Sequence, residues 1–156
     1  MFVRFSTMLA LSMLSTLTAG CRNSVGPDDI AGTYVLERVG DDPLPAEVFR
    51  DTHGIVSILA DTLRLRANGR GSFVSVRVID LIGVEAPQMP SRLERALTFR
   101  VVGSRIEMDF VCGPNELCIA GPHLIASPHA RGLVVESSLV ADAPLHYRRV
   151  SSFLHP

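Results

Sequence analysis

A two-residue alternation of apolar and polar side chains, repeated along most of the chain, is the strongest constraint on its fold. In "RIEMDFVC", Ile106, Met108, Phe110 and Cys112 fall on one side, and Arg105, Glu107, Asp109 and Val111 on the other. "ALTFRV" repeats the logic, with Leu97, Phe99 and Val101 set against Thr98 and Arg100. Gly103-Ser104 between the two runs has the chemistry of a tight hairpin turn. Successive side chains of a strand point to opposite faces, so this pattern specifies half-buried antiparallel strands and no helical stripe competes with it.

A second hairpin is expected in "DTLRLRANGRGSFVSVRVID", turning across Asn68-Gly69-Arg70-Gly71. Leu63 and Leu65 lie on its inner face, with Val74, Val76 and Val78 expected beside them. "PHLIAS", "GLVVESSL" and "LHYRRV" add three strands, with Leu133, Val135 and Leu139 inward, and "GTYVLERV" supplies the first. Eight antiparallel strands joined mostly by short turns predict an all-β fold, an up-and-down barrel whose closure removes exposed strand edges. Two connections are longer. "GDDPLPAEVFRDTHG" is read as holding a helical turn after Pro45, and "IGVEAPQMPSRLE" as holding a capping box from Ser91 to Glu94. Residues 40–54 and 82–94 are accordingly the expected rims of the barrel. The expected interior is wholly apolar, and the candidate pocket residues are Leu65, Val76, Phe99, Met108, Phe110 and Val135. A barrel of this size either fills with side chains or holds one small ligand, and the sequence leaves both open.

The amino end reads differently. Arg4 precedes "FSTMLALSMLSTL", an apolar run shorter than the roughly 20 residues needed to span a bilayer. Small residues Thr18, Ala19 and Gly20 then lead to Cys21. The stretch resembles the bacterial lipobox, with Thr18 as a departure from its usual pattern. The resemblance implies a signal peptide over residues 1–20, a diacylglycerol on the Cys21 sulfur and a membrane anchor of several acyl chains such as palmitate. Ordinary secretion with a chance cysteine is the alternative. Residues 21–30 would form a tether and residues 31–156 the barrel domain. Arg22 after the anchor favours the outer membrane, by analogy with enteric bacteria.

Two cysteines remain, in "CGPNELC". In an oxidising compartment Cys112 and Cys118 are expected to form a disulfide across a Gly113-Pro114-Asn115 turn, contributing about 2 kcal/mol on the chain-entropy model. A metal site adding His123 and His129 is the sharper alternative, and no metal-ligand spacing supports it.

At "IAGTYVLERVGDDPLP" the chain resembles the small lipocalin-like lipoproteins of bacteria, through Gly32, Thr33, Tyr34, Leu36, Val39, Leu44 and Pro45. The closing "YRR", Tyr147 to Arg149, adds to the likeness. The resemblance implies an extracytoplasmic barrel in which Arg148 or Arg149 of the last strand stacks on Tyr34 of the first.

The chemistry of an enzyme is not evident. All fifteen basic residues are arginine, which removes Schiff-base and P-loop lysines, and no G-x-S-x-G elbow is present. Glu107 and Asp109 share a strand face that is expected to point outward. Net charge is −1 and evenly spread along the sequence, so no nucleic-acid partner is expected. The sequence therefore predicts a non-enzymatic, lipid-anchored protein of the cell envelope, without cofactor or metal, that binds a small apolar ligand in or at the mouth of its barrel. The alternative is a protein–protein interaction module, an inhibitor or assembly factor, with a filled barrel.

Overall fold

The computed structural model describes residues 25–83, 89–113, 123–138 and 141–150. A single turn of helix, α1 (Pro27–Ile30), precedes ten strands: β1 (Gly32–Val39), β2 (Asp42–Pro43), β3 (Ala46–Arg50), β4 (Gly54–Leu65), β5 (Arg70–Leu81), β6 (Ser91–Val102), β7 (Arg105–Phe110), β8 (Leu124–His129), β9 (Gly132–Ser138) and β10 (Leu145–Val150). From β4 to β10 each strand pairs antiparallel with the next. β1 closes the ring by pairing with β10 on one side and β4 on the other. The result is a closed, eight-stranded, lipocalin-like antiparallel barrel, with β2 and β3 as short additions at one end.

The two ends of the barrel differ. At the closed end the turns after β4, β6 and β8 are tight, and α1 packs beneath them with Ile30 in the core. Residues 25–30, expected to be tether, therefore belong to the fold. Pro27 starts the helical turn, and Asp29 holds it by accepting the Gly26 N–H at 2.8 Å. At the other end β1 and β4 diverge: they pair only from Gly32↔Leu65 to Val35↔Thr62, after which β4 runs with β3 instead. The β4–β5 hairpin continues past the end of its pairing with β6 at Arg77↔Ser91 and rises beyond the rim.

Three sequence expectations are corrected here. "AEVFR" after Pro45 forms β3, because its edge pairs with the first half of a β4 that begins at Gly54, seven residues earlier than the sequence suggested. Ser91 to Glu94 opens β6 as strand, where pairing with Val74–Arg77 overrides the capping pattern. The inward face of β5 is also reversed. Arg66 donates its N–H to the Arg70 carbonyl at 2.8 Å, which leaves a three-residue loop, Ala67-Asn68-Gly69, with Gly69 at φ +75°. An odd loop length in place of the expected four-residue turn shifts the register by one, so Leu63 lies opposite Phe73 and Asp61 opposite Ser75. Phe73 and Ser75 are buried, and Val74, Val76 and Val78 are half-buried on the outer face.

The lower barrel is filled by side chains. Leu63, Phe73, Leu97, Ile106, Met108, Leu124 and Leu133 are each almost wholly shielded from solvent and pack as one cluster. Gly71 makes this possible where three strands converge, since a Cβ there would sit 2.3 Å from the Arg64 carbonyl oxygen and 2.8 Å from Leu97.

Candidate functional site

Above that cluster the interior turns polar. Asp61 on β4 is buried, with 2% of its surface exposed, and so is Ser75, directly opposite on β5. A β-bulge between Ile58 and Ala60 returns Asp61 to the face shared by Ile58, Leu63 and Leu65. Arg77, two residues beyond Ser75, pairs with Ile58 and so faces the same side, and its Nε donates to Ser75 Oγ at 2.8 Å. From β10, on the far side of β1, the Tyr147 hydroxyl donates to Asp61 Oδ2 at 3.3 Å.

The electrostatics follow from burial. Desolvation raises the Asp61 carboxyl to about 6, against the downward pull of Ser75, Arg77 and Tyr147. Burial, reinforced by the Asp61 charge, holds the Tyr147 phenol well above its ordinary value. Two atoms of the cluster are buried without a hydrogen-bond partner: Asp61 Oδ1 and Arg77 Nη2. Each such orphan costs about 1–3 kcal/mol. This acceptor and this donor lie on adjacent strands and are closed off from solvent, with the Ser75 hydroxyl helping to hold the Asp61 carboxylate.

The strands carry this face upward from the polar floor. Ile79 and Leu81 follow Arg77 at two-residue spacing, and Phe49 and Val56 lie in register with Ile79 across β3 and β4. Ile79, Leu81 and Phe49 are 47, 47 and 52% exposed, high for large apolar side chains. Leu93, opposite Ser75 on β6, is 39% exposed. A partly polar floor therefore sits beneath a rising apolar wall at the open end.

Residues singled out from sequence fall in several places. Tyr34 and Arg149 are brought together: they are register partners, and the guanidinium carbon lies 5.9 Å from the ring centroid. Arg149 also donates to the carbonyls of Asp29 (3.2 Å) and Ala31, and the Tyr34 hydroxyl donates to the Ile30 carbonyl at 2.6 Å. Arg148 turns outward to Glu37, 2.5 Å away. Leu65, Phe99, Met108 and Val135 are buried and packed against the rest of the core, away from the mouth. Phe110 is half-buried, its ring centroid 5.6 Å from Phe73 and 5.2 Å from His123. Val76, expected in a pocket, is on the outer face for the register reason above. Cys112 follows β7, and Cys21 and Cys118 lie outside the described residues. His123 and His129 stand at opposite ends of β8, about 20 Å apart at ~3.3 Å per residue. Among the described residues no group of three His, Cys, Asp or Glu is placed to hold a metal ion. Glu107 pairs with Arg100 at 2.6 Å.

Asp61, Ser75 and Arg77 were not anticipated. The available signal was positional: Asp61 lies two residues before Leu63, hence on its face, and the loop length decides whether Ser75 and Arg77 join it. Comparison of the chain with protein-family models, curated proteins and solved structures finds no match.

Proposed function

We propose that this chain is a lipid-anchored protein of the cell envelope that binds, without covalent chemistry, a small apolar molecule bearing a polar head at the open end of its barrel. The observation that carries the reading is the pair of orphaned buried atoms, Asp61 Oδ1 and Arg77 Nη2, beneath the exposed apolar face of Phe49, Ile79 and Leu81. A head group offering one donor and one acceptor satisfies the orphans, and burying its apolar part contributes about 25 cal/mol per Å². The packed lower barrel confines such a guest to the mouth. The anchor rests on Cys21 and the apolar run before it, and a Cys112–Cys118 bridge suits the oxidising compartment this implies.

The filled lower barrel favours a second reading, an interaction module whose apolar Phe49–Ile79–Leu81 face meets another envelope protein. Native mass spectrometry of the full chain, extracted from membranes in mild detergent, separates the two. The ligand reading expects a co-purifying small mass, a diacylglycerol-sized addition on Cys21 and a chain two hydrogens lighter than its thiol form. A bare chain that carries a second protein supports the module.

A further inference from the structure

Folding sorts the charges that the sequence spreads evenly. Five exposed arginines gather at the closed end: Arg66 and Arg70 flank the β4–β5 loop, Arg105 follows the β6–β7 turn, Arg131 lies in the β8–β9 turn and Arg149 near the end of β10. Among the described residues the acids toward that end are Asp28 and Asp29 of α1, Glu107, which pairs with Arg100, and Asp109, level with Arg70. At the open end Asp41, Asp42, Glu47, Asp51, Asp80, Glu94 and Asp142 gather, and the exposed arginines there among the described residues, Arg38, Arg50 and Arg92, are paired with Asp41, Glu47 and Glu94. Among the described residues the side chains of Arg66, Arg70, Arg105 and Arg131 enter no salt bridge. The barrel is thus positive at one end and negative at the other.

Two further features mark the positive end. Val25 and α1 lie there, so the described chain begins at this end of the barrel. A cleft of about 400 Å³ opens between α1 and the β8–β9 turn, with Asp29, Tyr34, His129, Arg131, Arg148 and Arg149 among its lining residues.

We propose that this arginine-rich closed end is a headgroup-binding face that seats the barrel on the phosphates of an anionic bilayer. The charge distribution fits it in both senses: arginines at the contact meet lipid phosphate, and the acidic mouth is repelled and turned away from the surface. The inference rests in part on the functional reading above, because the anchor brings this end to the membrane. It deepens that reading by directing the mouth away from the bilayer.

The test uses the full chain carrying C21S, which removes acylation, sedimented with vesicles of phosphatidylcholine alone or containing about 30% phosphatidylglycerol. Each arginine near an anionic surface adds about fivefold to partitioning, so a net excess of two charges predicts a preference of about 25-fold for the anionic vesicles. The preference shrinks as salt is raised. R66Q/R70Q/R105Q/R131Q abolishes it and leaves binding to phosphatidylcholine unchanged. R66K/R70K/R105K/R131K retains it, which separates lost charge from a damaged fold. Equal binding to both vesicles, a preference that survives the glutamine substitutions, or tighter binding to duplex DNA than to anionic vesicles overturns the inference. The mass of Cys21 in the wild-type protein is read separately. An acylated Cys21 without a lipid preference overturns the headgroup face and leaves the anchor standing. An unmodified Cys21 with the preference intact removes the anchor and supports the face.

Discussion

Tyr147 on the last strand and Asp61 on the fourth are 86 positions apart in sequence, and their side chains meet inside the barrel in a hydrogen bond of 3.3 Å. The contact spans β1, which lies between these two strands, at the level where apolar packing gives way to a polar floor. It also makes stability depend on pH. Asp61 rises from an ordinary 3.8 to about 6 on folding, so between these values the folded chain binds more protons than the unfolded one. The contribution of Asp61 to stability is therefore fully present below about pH 4 and is lost as pH rises toward 6, a change of no more than about 3 kcal/mol. Asp61→Asn keeps an acceptor for Tyr147 and removes the ionisation. Thermal melts between pH 4 and 8 are expected to show a smaller decline for Asp61→Asn than for the wild type, and a higher Tm for the variant at pH 7.5. Parallel curves would refute the assignment.

Phe73 and Val76 test the register of the central hairpin. Phe73 is buried at the heart of the core, and Val76 is half-buried on the outer face. Phe73→Ala should cost about 3–5 kcal/mol in denaturant unfolding. Val76→Ala should cost less than about 1.5 kcal/mol, since its environment is only partly sequestered from water. The opposite order would restore the valine face to the interior.

The eight barrel strands and their order were legible because alternation and turn residues act locally. The inner face of β5 was not. Valines at 74, 76 and 78 have the composition of a core face, yet the three-residue loop at Ala67–Gly69 turns them outward and brings Phe73, Ser75 and Arg77 in. β3 was hidden for another reason: "AEVFR" becomes strand only because β4 extends back to Gly54 and offers it an edge. The polar floor was hidden by the first effect: Asp61 is on the Leu63 face by simple alternation, and the loop length brings Ser75 and Arg77 in beside it. Pairing Tyr34 with an arginine of β10 required only strand order, and the register selects Arg149 over Arg148.

Arg149 and Arg148 provide a neighbouring contrast. Arg149 lies over the Tyr34 ring and holds two carbonyls at the α1–β1 junction, whereas Arg148 makes an exposed pair with Glu37. Arg149→Ala is expected to lower stability by about 1–2 kcal/mol and to speed amide exchange of Ile30 to Tyr34. Arg148→Ala should change stability by less than about 1 kcal/mol. Equal effects would remove Arg149 from the closure of the barrel.

Gly71 marks a close approach between strands. A Cβ there meets backbone at 2.3 Å, and Arg64 cannot move without disturbing β4. Gly71→Ala is expected to destabilise by about 1–3 kcal/mol, the range for overpacking. Gly103, at φ +64° with open space around it, should cost only about 1 kcal/mol on substitution by alanine. Urea midpoints of the two variants check the order, which packing predicts and backbone strain alone would not.

The central claim, a ligand site at the mouth above a polar floor, is tested most directly by NMR shift mapping with 1-aminoanthracene, a neutral apolar probe carrying one amine. The predicted result is saturable shifts at Ile79, Leu81 and Phe49, with the Asp61 carboxyl moving alongside them, all weakened in Arg77→Ala. Shifts confined to the closed end around Arg131 and Arg149, or none at saturating probe, would contradict the account.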